Sequence, residues 1–247
     1  IQARGKVVAF LDMGTNSVRL LVVRVDPGGV YTVLNQQREV VRLGEGEFQE
    51  QMLQPEAMDR AVLVCRKFSD LARSYGVQDF VAVATSATRD AENQAKFLAR
   101  IEKEAGLEVR VISGREEARL IYLGVSSGVH MGDYSAAFID IGGGSTEVIV
   151  GNQADYSFLD TLKLGAIRLT QMFFLPGEEA PVSQARYELI CQYARNAAVR
   201  TAQRALEHRI DMAFGSSGTI MNLAQVAREM RLKGAAEENR LGRDALA

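Results

Sequence analysis

Two short stretches of the chain follow one plan, and this repeat limits what the chain can fold into more than any other feature. The stretch "FLDMGTNSVRLLVV" begins at Phe10, and "FIDIGGGSTEVIVG" begins at Phe138. Each is an apolar run, a turn of small residues and a second apolar run, which is the pattern of a β-hairpin. When Asp12 is aligned with Asp140, three further pairs of residues coincide: Gly14 with Gly142, Ser17 with Ser145, and Arg19 with Glu147.

The repeat continues beyond the hairpins. "VATSATR", ending at Arg89, and "FGSSGTI", ending at Ile220, each follow a predicted strand and precede a predicted helix. Both halves of the chain predict three strands, a helix, a strand and a helix. We therefore expect an α/β protein of two duplicated domains, residues 1–122 and 123–247, each with a mixed five-stranded sheet, facing each other across a cleft lined by the small turns.

Composition excludes several classes of protein. Of 247 residues, 47% are hydrophobic and 24% are charged, as in ordinary globular proteins. The apolar runs are too short for a membrane helix and no signal peptide is visible, so the expectation is a cytoplasmic protein. A net charge of -2 argues against a general binder of nucleic acid or of membrane surfaces. Cys65 and Cys191 lack metal-ligand spacing and are expected to be buried free thiols.

The glycine turns suggest that the protein binds an anion. Without side chains, Gly142, Gly143 and Gly144 would let backbone N–H groups approach a phosphate and take turn conformations closed to other residues. The hydroxyls of Ser17 and Ser145 would add donors. A plain hairpin with a flexible turn is the alternative. Asp12 and Asp140, at strand ends beside the turns, could hold a hydrated divalent cation or could cap the turns.

Five motifs together resemble one known family. "DMGTNSVRLLV", "ATSATRDAEN", "VISGREEARLIYLGV", "IDIGGGSTEVIVG" and "GSSGT" occur in the order and spacing of the exopolyphosphatase and guanosine pentaphosphate phosphohydrolase family. That family belongs to the superfamily of actin, sugar kinases and heat-shock chaperones. The resemblance implies two ribonuclease H-like (actin-like ATPase) domains. The hairpins alone would indicate only the superfamily, whereas "ISGREEARL" with "ATSATR" indicates the phosphatase family.

The resemblance also implies roles for two residues. Glu117, in "SGREEAR", matches the family's catalytic glutamate, which positions or deprotonates the attacking water. Taken alone, an acid in a helix's first turn is also explained by the helix dipole. Arg89 matches an arginine that binds phosphoryl oxygens and offsets charge in the transition state. The alternative role for Arg89 is a surface ion pair.

The remaining site residues follow from the same resemblance. The expected cofactor is Mg²⁺, near the acids Asp12, Asp140 and Glu147. The expected phosphate-binding residues come from the two hairpin turns, from the strand after the first turn and from the "GSSGT" segment: Gly14, Thr15, Asn16, Ser17, Arg19, Gly142, Gly143, Gly144, Ser145, Gly215, Ser216, Ser217, Gly218 and Thr219.

The implied activity is release of terminal orthophosphate from inorganic polyphosphate. Two alternatives stay open, namely guanosine pentaphosphate as the substrate and a non-catalytic actin-like module that binds a nucleotide or phosphate. The expected partners are therefore one of these anions, with no nucleic acid and no membrane, and the resemblance is compatible with a homodimer. Members of the family continue beyond the "GSSGT" helix, so the second domain is expected to be incomplete at its carboxyl end.

Overall fold

The protein forms two compact units in the computed structural model, which describes residues 5–178 and 181–230. The first unit contains the described residues up to Ser113 together with Thr170–Pro176. The second contains Gly114–Leu169 and the described residues from Gly177 onward. The two units are therefore not simple halves of the sequence.

A mixed sheet of five strands forms the centre of the first unit, as predicted. Its order is β3-β2-β1-β4-β5, with the first three strands antiparallel and the last two parallel to β1. The strands are β1 (Lys6–Met13), β2 (Ser17–Val25), β3 (Tyr31–Val40), β4 (Asp79–Ala84) and β5 (Val109–Val111). The helices of this segment are α1 (Glu47–Glu50), α2 (Pro55–Ser74), α3 (Ser86–Asp90) and α4 (Gln94–Ala105).

The helix α2 shows why this sequence forms this element. Pro55 occupies the first turn, where its missing N–H costs nothing, and Gly76 follows the helix with a left-handed φ of 72°. Buried residues recur at three- and four-residue spacing, including Cys65 and Phe68. This stripe packs into a core that includes Leu20, from the sheet, and residues of α4.

The second unit repeats the arrangement with a mixed sheet of order β8-β7-β6-β9. Its elements are α5 (Gly114–Gly128), β6 (Ala136–Ile141), β7 (Thr146–Gly151), β8 (Tyr156–Leu162), α6 (Ala166–Phe173), α7 (Gln184–Ala205), β9 (Met212–Ser216) and α8 (Ser217–Glu229). The residues of α6 from Thr170 are grouped with the first unit. Five strands were expected here, but the described residues contain four, and α8 is the last element they include.

The helix α5 packs against β7 and β8, which explains why it is grouped with the second unit. Its buried side chains include Ala118 and Tyr122. The Tyr122 ring meets the edge of the Phe138 ring at 5.3 Å between centroids, in the core of this unit. The first turn of α5, which carries Glu117, is thereby fixed to the sheet.

Cys65 and Cys191 are free thiols; Cys65 is buried, and burial raises its pKa to about 12, whereas Cys191 is only half-buried. In the part of the chain that the structure describes, no helix combines the length and the apolar character needed to cross a bilayer.

Candidate active site

The two hairpin turns have the same backbone geometry. Gly14 N–H donates to the Ser17 carbonyl over 3.0 Å, and Gly142 N–H donates to the Ser145 carbonyl over the same distance. The strands of each hairpin pair in the same register, because Asp12 lies opposite Arg19 and Asp140 lies opposite Glu147. The structure thus confirms the hairpin repeat residue by residue.

The start of α6 binds the second turn by donating hydrogen bonds to the carbonyl groups of the turn. Ala166 N–H donates to the Gly142 carbonyl over 3.0 Å, and the N–H groups of Ile167 and Arg168 donate to the Gly143 carbonyl over 2.9 and 3.0 Å. The Arg168 Nε donates to the Gly144 carbonyl over 2.7 Å. Three successive carbonyls of the turn therefore face α6.

This arrangement fixes the direction of the amide groups that follow. In a planar trans peptide the C=O and the next N–H point in opposite directions. The N–H groups of Gly143, Gly144 and Ser145 therefore point away from α6. Successive amides that point to one side form an anion-binding nest, which is the chemistry that the sequence predicts for this turn.

Close packing explains the glycine that faces the turn, Gly165, rather than the three glycines of the turn itself. Gly142, Gly143 and Gly144 are not among the residues with a left-handed φ, so the expected special conformation is not seen. Instead, a Cβ placed on Gly165 would lie 2.4 Å from the Gly143 carbonyl oxygen. The start of α6 and the turn are in backbone contact, and a side chain on Gly165 would push them apart.

Acidic side chains gather next to this turn. Asp140 and Glu147 lie directly opposite each other on β6 and β7, so their side chains project from the same face of the sheet. Glu147 is almost fully buried, and its Oε1 accepts a hydrogen bond from the Thr161 hydroxyl over 2.9 Å. Burial, and then the negative charge of Glu117, raise the pKa of Glu147 to about 8. The structure therefore brings three of the predicted acids into one electrostatic cluster.

The described residues offer only part of the predicted metal site. No three His, Cys, Asp or Glu side chains among them are arranged to hold a metal ion together. Mg²⁺ usually takes one or two carboxylates and completes its shell with water and phosphate oxygens. The pair Asp140 and Glu147 fits that mode, and its crowded negative charge would be relieved by a cation. Asp12 belongs to the first unit.

The "GSSGT" segment joins the acidic cluster at the end of β9. Ser216 lies next to Asp140 in the sheet, and its hydroxyl donates to Asp140 Oδ2 over 2.6 Å. Ser217 begins α8 with a φ of 75°, which is unusual for serine, and its hydroxyl donates to the Ile141 carbonyl. Gly215, Gly218 and Thr219 accompany these serines along the same segment. Backbone strain of this kind is often found at functional sites.

The first unit holds the other predicted residues around its own turn. Thr15 and Ser17 are buried, and the carbonyls of Thr15 and Asn16 accept hydrogen bonds from the segment after β3. Thr85 N–H donates to the Met13 carbonyl over 3.1 Å, which places the start of α3 beside this turn. Arg89, at the other end of α3, donates from Nη1 to the Ile112 carbonyl over 2.9 Å. This contact orients the half-buried guanidinium.

The sequence prediction missed two polar residues that contact the predicted ones. Arg38 lies opposite Arg19 on the neighbouring strand, and its Nε donates to the Ser17 hydroxyl over 3.3 Å. Thr161 binds Glu147, as described above. Neither residue belongs to a motif. The alternation along β3 could have suggested a face for Arg38, but the pairing partners depend on strand register.

Comparison with known proteins places the chain in a family. The model of the Ppx/GppA phosphatase family matches residues 21–242. An exopolyphosphatase from Cytophaga hutchinsonii has a similar structure, with a TM-score of 0.85 and 30% identity over 92% of this chain and 72% of that chain. A PPX-GPPA enzyme from Aquifex aeolicus has a TM-score of 0.72 and 28% identity over 91% of this chain and 72% of its own. The chain therefore belongs to the Ppx/GppA phosphatase family, whose members are phosphohydrolases of the actin-like ATPase superfamily.

Proposed function

We propose that this phosphohydrolase releases terminal orthophosphate from inorganic polyphosphate, with assistance from Mg²⁺. The observation that carries the proposal is the second turn, where three successive N–H groups point away from α6 beside an acidic cluster. Such amides can hold phosphate oxygens, while the acids can hold the cation and the attacking water. The similarity to an exopolyphosphatase supports this choice of substrate.

The three acids of the cluster and Arg89 of the first unit would have separate tasks. Glu117 would accept a proton from the attacking water, since it occupies the first turn of α5 and its charge reaches Glu147. Asp140 and Glu147 would hold Mg²⁺ together with water and phosphate oxygens, and the ion would offset negative charge on the phosphoryl group. Arg89 would bind phosphoryl oxygens through the guanidinium that Ile112 orients.

The direct test is an assay of orthophosphate release from long-chain polyphosphate, guanosine pentaphosphate and ATP, with and without Mg²⁺. The proposal expects release from polyphosphate that depends on Mg²⁺, and weaker release from ATP. A protein that binds these anions but releases no phosphate would be the non-catalytic module instead. Release from guanosine pentaphosphate alone would replace polyphosphate as the substrate.

Guanosine pentaphosphate stays a second candidate because of Arg19. This arginine is exposed on β2, on the same side of the strand as Ser17, and it lies opposite Arg38. Two guanidinium groups opposite each other repel unless an anion lies between them, so the pair suits a second phosphoryl group. We expect both substrates to be hydrolysed, with polyphosphate preferred, because no motif marks a guanine pocket.

Kinetics of Arg19→Ala on both substrates test the role of this pair. The Michaelis constant for guanosine pentaphosphate should rise more than that for long polyphosphate, because the longer chain keeps other contacts. Arg24→Ala, on the same strand and away from the turn, is the matched control. Equal losses on both substrates would show that Arg19 does not determine which substrate is used.

A further inference from the structure

Thr161 connects the two elements that carry the acids of the cluster. It lies on β8 directly opposite Glu147, and its hydroxyl is 2.9 Å from Glu147 Oε1. On another side it lies against Gly114, where a Cβ would come within 2.4 Å of the Thr161 methyl carbon and 2.8 Å of its hydroxyl. Gly114 is the first residue of α5 and precedes Glu117 in the same turn.

The position of Thr161 is itself held by other hydrogen bonds. Its N–H donates to Asp160 Oδ1 over 2.9 Å, and Asp160 Oδ2 accepts a hydrogen bond from the Thr201 hydroxyl over 2.6 Å. Thr201 is one of the few buried residues of α7. The side chain of Thr161 therefore sits on a fixed backbone, which is what a residue that orients another side chain requires.

We infer that Thr161 is a positioning residue for hydrolysis, through its hydroxyl on Glu147 and through its methyl group on the first turn of α5. The hydroxyl donates to the buried Glu147 Oε1, beside a hydrogen bond from the Ser145 side chain, and its loss removes one of the contacts that orient this carboxyl group. The methyl group sets how closely α5 approaches β8, and so where Glu117 is held. The inference rests on the proposed phosphohydrolase function, although its second half concerns the structure alone.

Two substitutions separate the two contacts. Thr161→Val keeps the shape and loses the hydroxyl, whereas Thr161→Ser keeps the hydroxyl and loses the methyl group. Thr161→Val should lower kcat by about tenfold or more and change KM by less than about twofold, because the orientation of Glu147 acts on the chemical step. Thr161→Ser should lose clearly less kcat than Thr161→Val, because the retained hydroxyl keeps its bond to Glu147 and only the methyl contact with α5 is lost.

If Thr161 had only a structural role, its variants would change stability without a specific loss of kcat. Ser157→Ala is the control, because Ser157 also lies on β8 and donates its hydroxyl to a backbone carbonyl away from the acids. Thr161→Val should lower the unfolding temperature more than Ser157→Ala does, because it deprives a buried carboxyl group of a donor, but its loss of kcat should persist well below that temperature. An unchanged kcat in Thr161→Val, or equal losses in the valine and serine variants, would overturn the inference for the hydroxyl.

Hydrogen exchange tests the methyl contact without relying on activity. The amides of residues 118–121 bond to the carbonyls of residues 114–117 in an α-helix. They should exchange faster in Thr161→Ala than in Thr161→Val, because only the valine keeps a group against Gly114. Equal exchange rates in these two variants would overturn the part of the inference that concerns the methyl group. If the unaltered protein released no phosphate from any substrate, the proposed function would fail, and exchange would still decide whether Thr161 positions α5.

Discussion

Glu117 is the residue on which the proposed chemistry depends most. Glu117→Gln keeps the size and hydrogen bonding of the side chain but removes the base, so kcat should fall by at least about tenfold while substrate binding is kept. Stopped-time phosphate assays and calorimetric binding measure the two quantities. Glu116→Gln changes the neighbouring acid in the same helical turn and should leave most of the activity. Unaltered turnover in the Glu117 variant would disprove the assignment.

Asp140 distinguishes a cation ligand from a turn cap. In Asp140→Asn the hydrogen bond from Ser216 can persist on the amide oxygen, but one negative charge of the pair with Glu147 is lost. The Mg²⁺ concentration that gives half of the maximal activity should therefore rise, while the unfolding temperature changes little. Asp155→Asn, in the β7–β8 turn, is the control. A large fall in stability with normal Mg²⁺ dependence would make Asp140 a structural cap.

At the scale of elements, the contact between the glycine turn and α6 can be tested through Gly165. Gly165→Ala places a methyl group 2.4 Å from the Gly143 oxygen, so one of the two backbones must move. Such overpacking costs roughly 1 to 3 kcal/mol of unfolding free energy, and a displaced turn should also bind phosphate more weakly. Urea denaturation and phosphate binding measure both effects.

Gly124 provides the opposite case for comparison. It lies inside α5 with open space around the position of a Cβ, so Gly124→Ala should stabilise the protein by about 0.5 to 1 kcal/mol. If Gly165→Ala were equally harmless, the turn would not depend on close contact with α6.

Several elements could be predicted because their signals are local. Pro55 and Gly76 mark the ends of α2, and the small residues between apolar runs mark both hairpins. The helix α1 was missed, since it has four residues and its one buried side chain is the charged Glu47. Thr161 could not be predicted as part of the site, because its contact with Glu147 depends on which residues of β7 and β8 face each other.

At the scale of the whole molecule, charge sets the conditions for binding a polyanion. The net charge is -2, so attraction of the proposed substrate would have to come from local groups such as Arg19 and Arg38. Added salt screens the attraction between exposed charges, and a long polyphosphate chain makes more ionic contacts that salt can weaken. KM for long polyphosphate should therefore rise more steeply with salt concentration than KM for tripolyphosphate. Steady-state assays over a salt series provide the measurement, and parallel slopes would show that long chains gain no extra ionic contacts.

The division of the chain was harder to predict than its repeat. The motifs recur in order, but the predicted boundary after residue 122 falls inside α5. Sequence periodicity identifies this helix and its buried face, but not the sheet against which that face packs. Its packing on β7 and β8 is a tertiary contact, and so is the grouping of Thr170–Pro176 with the first unit.

The two hairpins share one register, yet the side chains at one pair of equivalent positions differ in charge. Arg19 and Glu147 occupy equivalent positions in the two hairpins, yet Arg19 is positively charged and Glu147 is acidic. The bond that closes each turn joins backbone atoms only, from Gly14 to Ser17 and from Gly142 to Ser145. A substitution that reverses the charge at this position in one hairpin therefore leaves the backbone hydrogen bond that closes the turn in place. A repeated hairpin can thus present opposite charges at equivalent positions while both turns keep the same backbone closure.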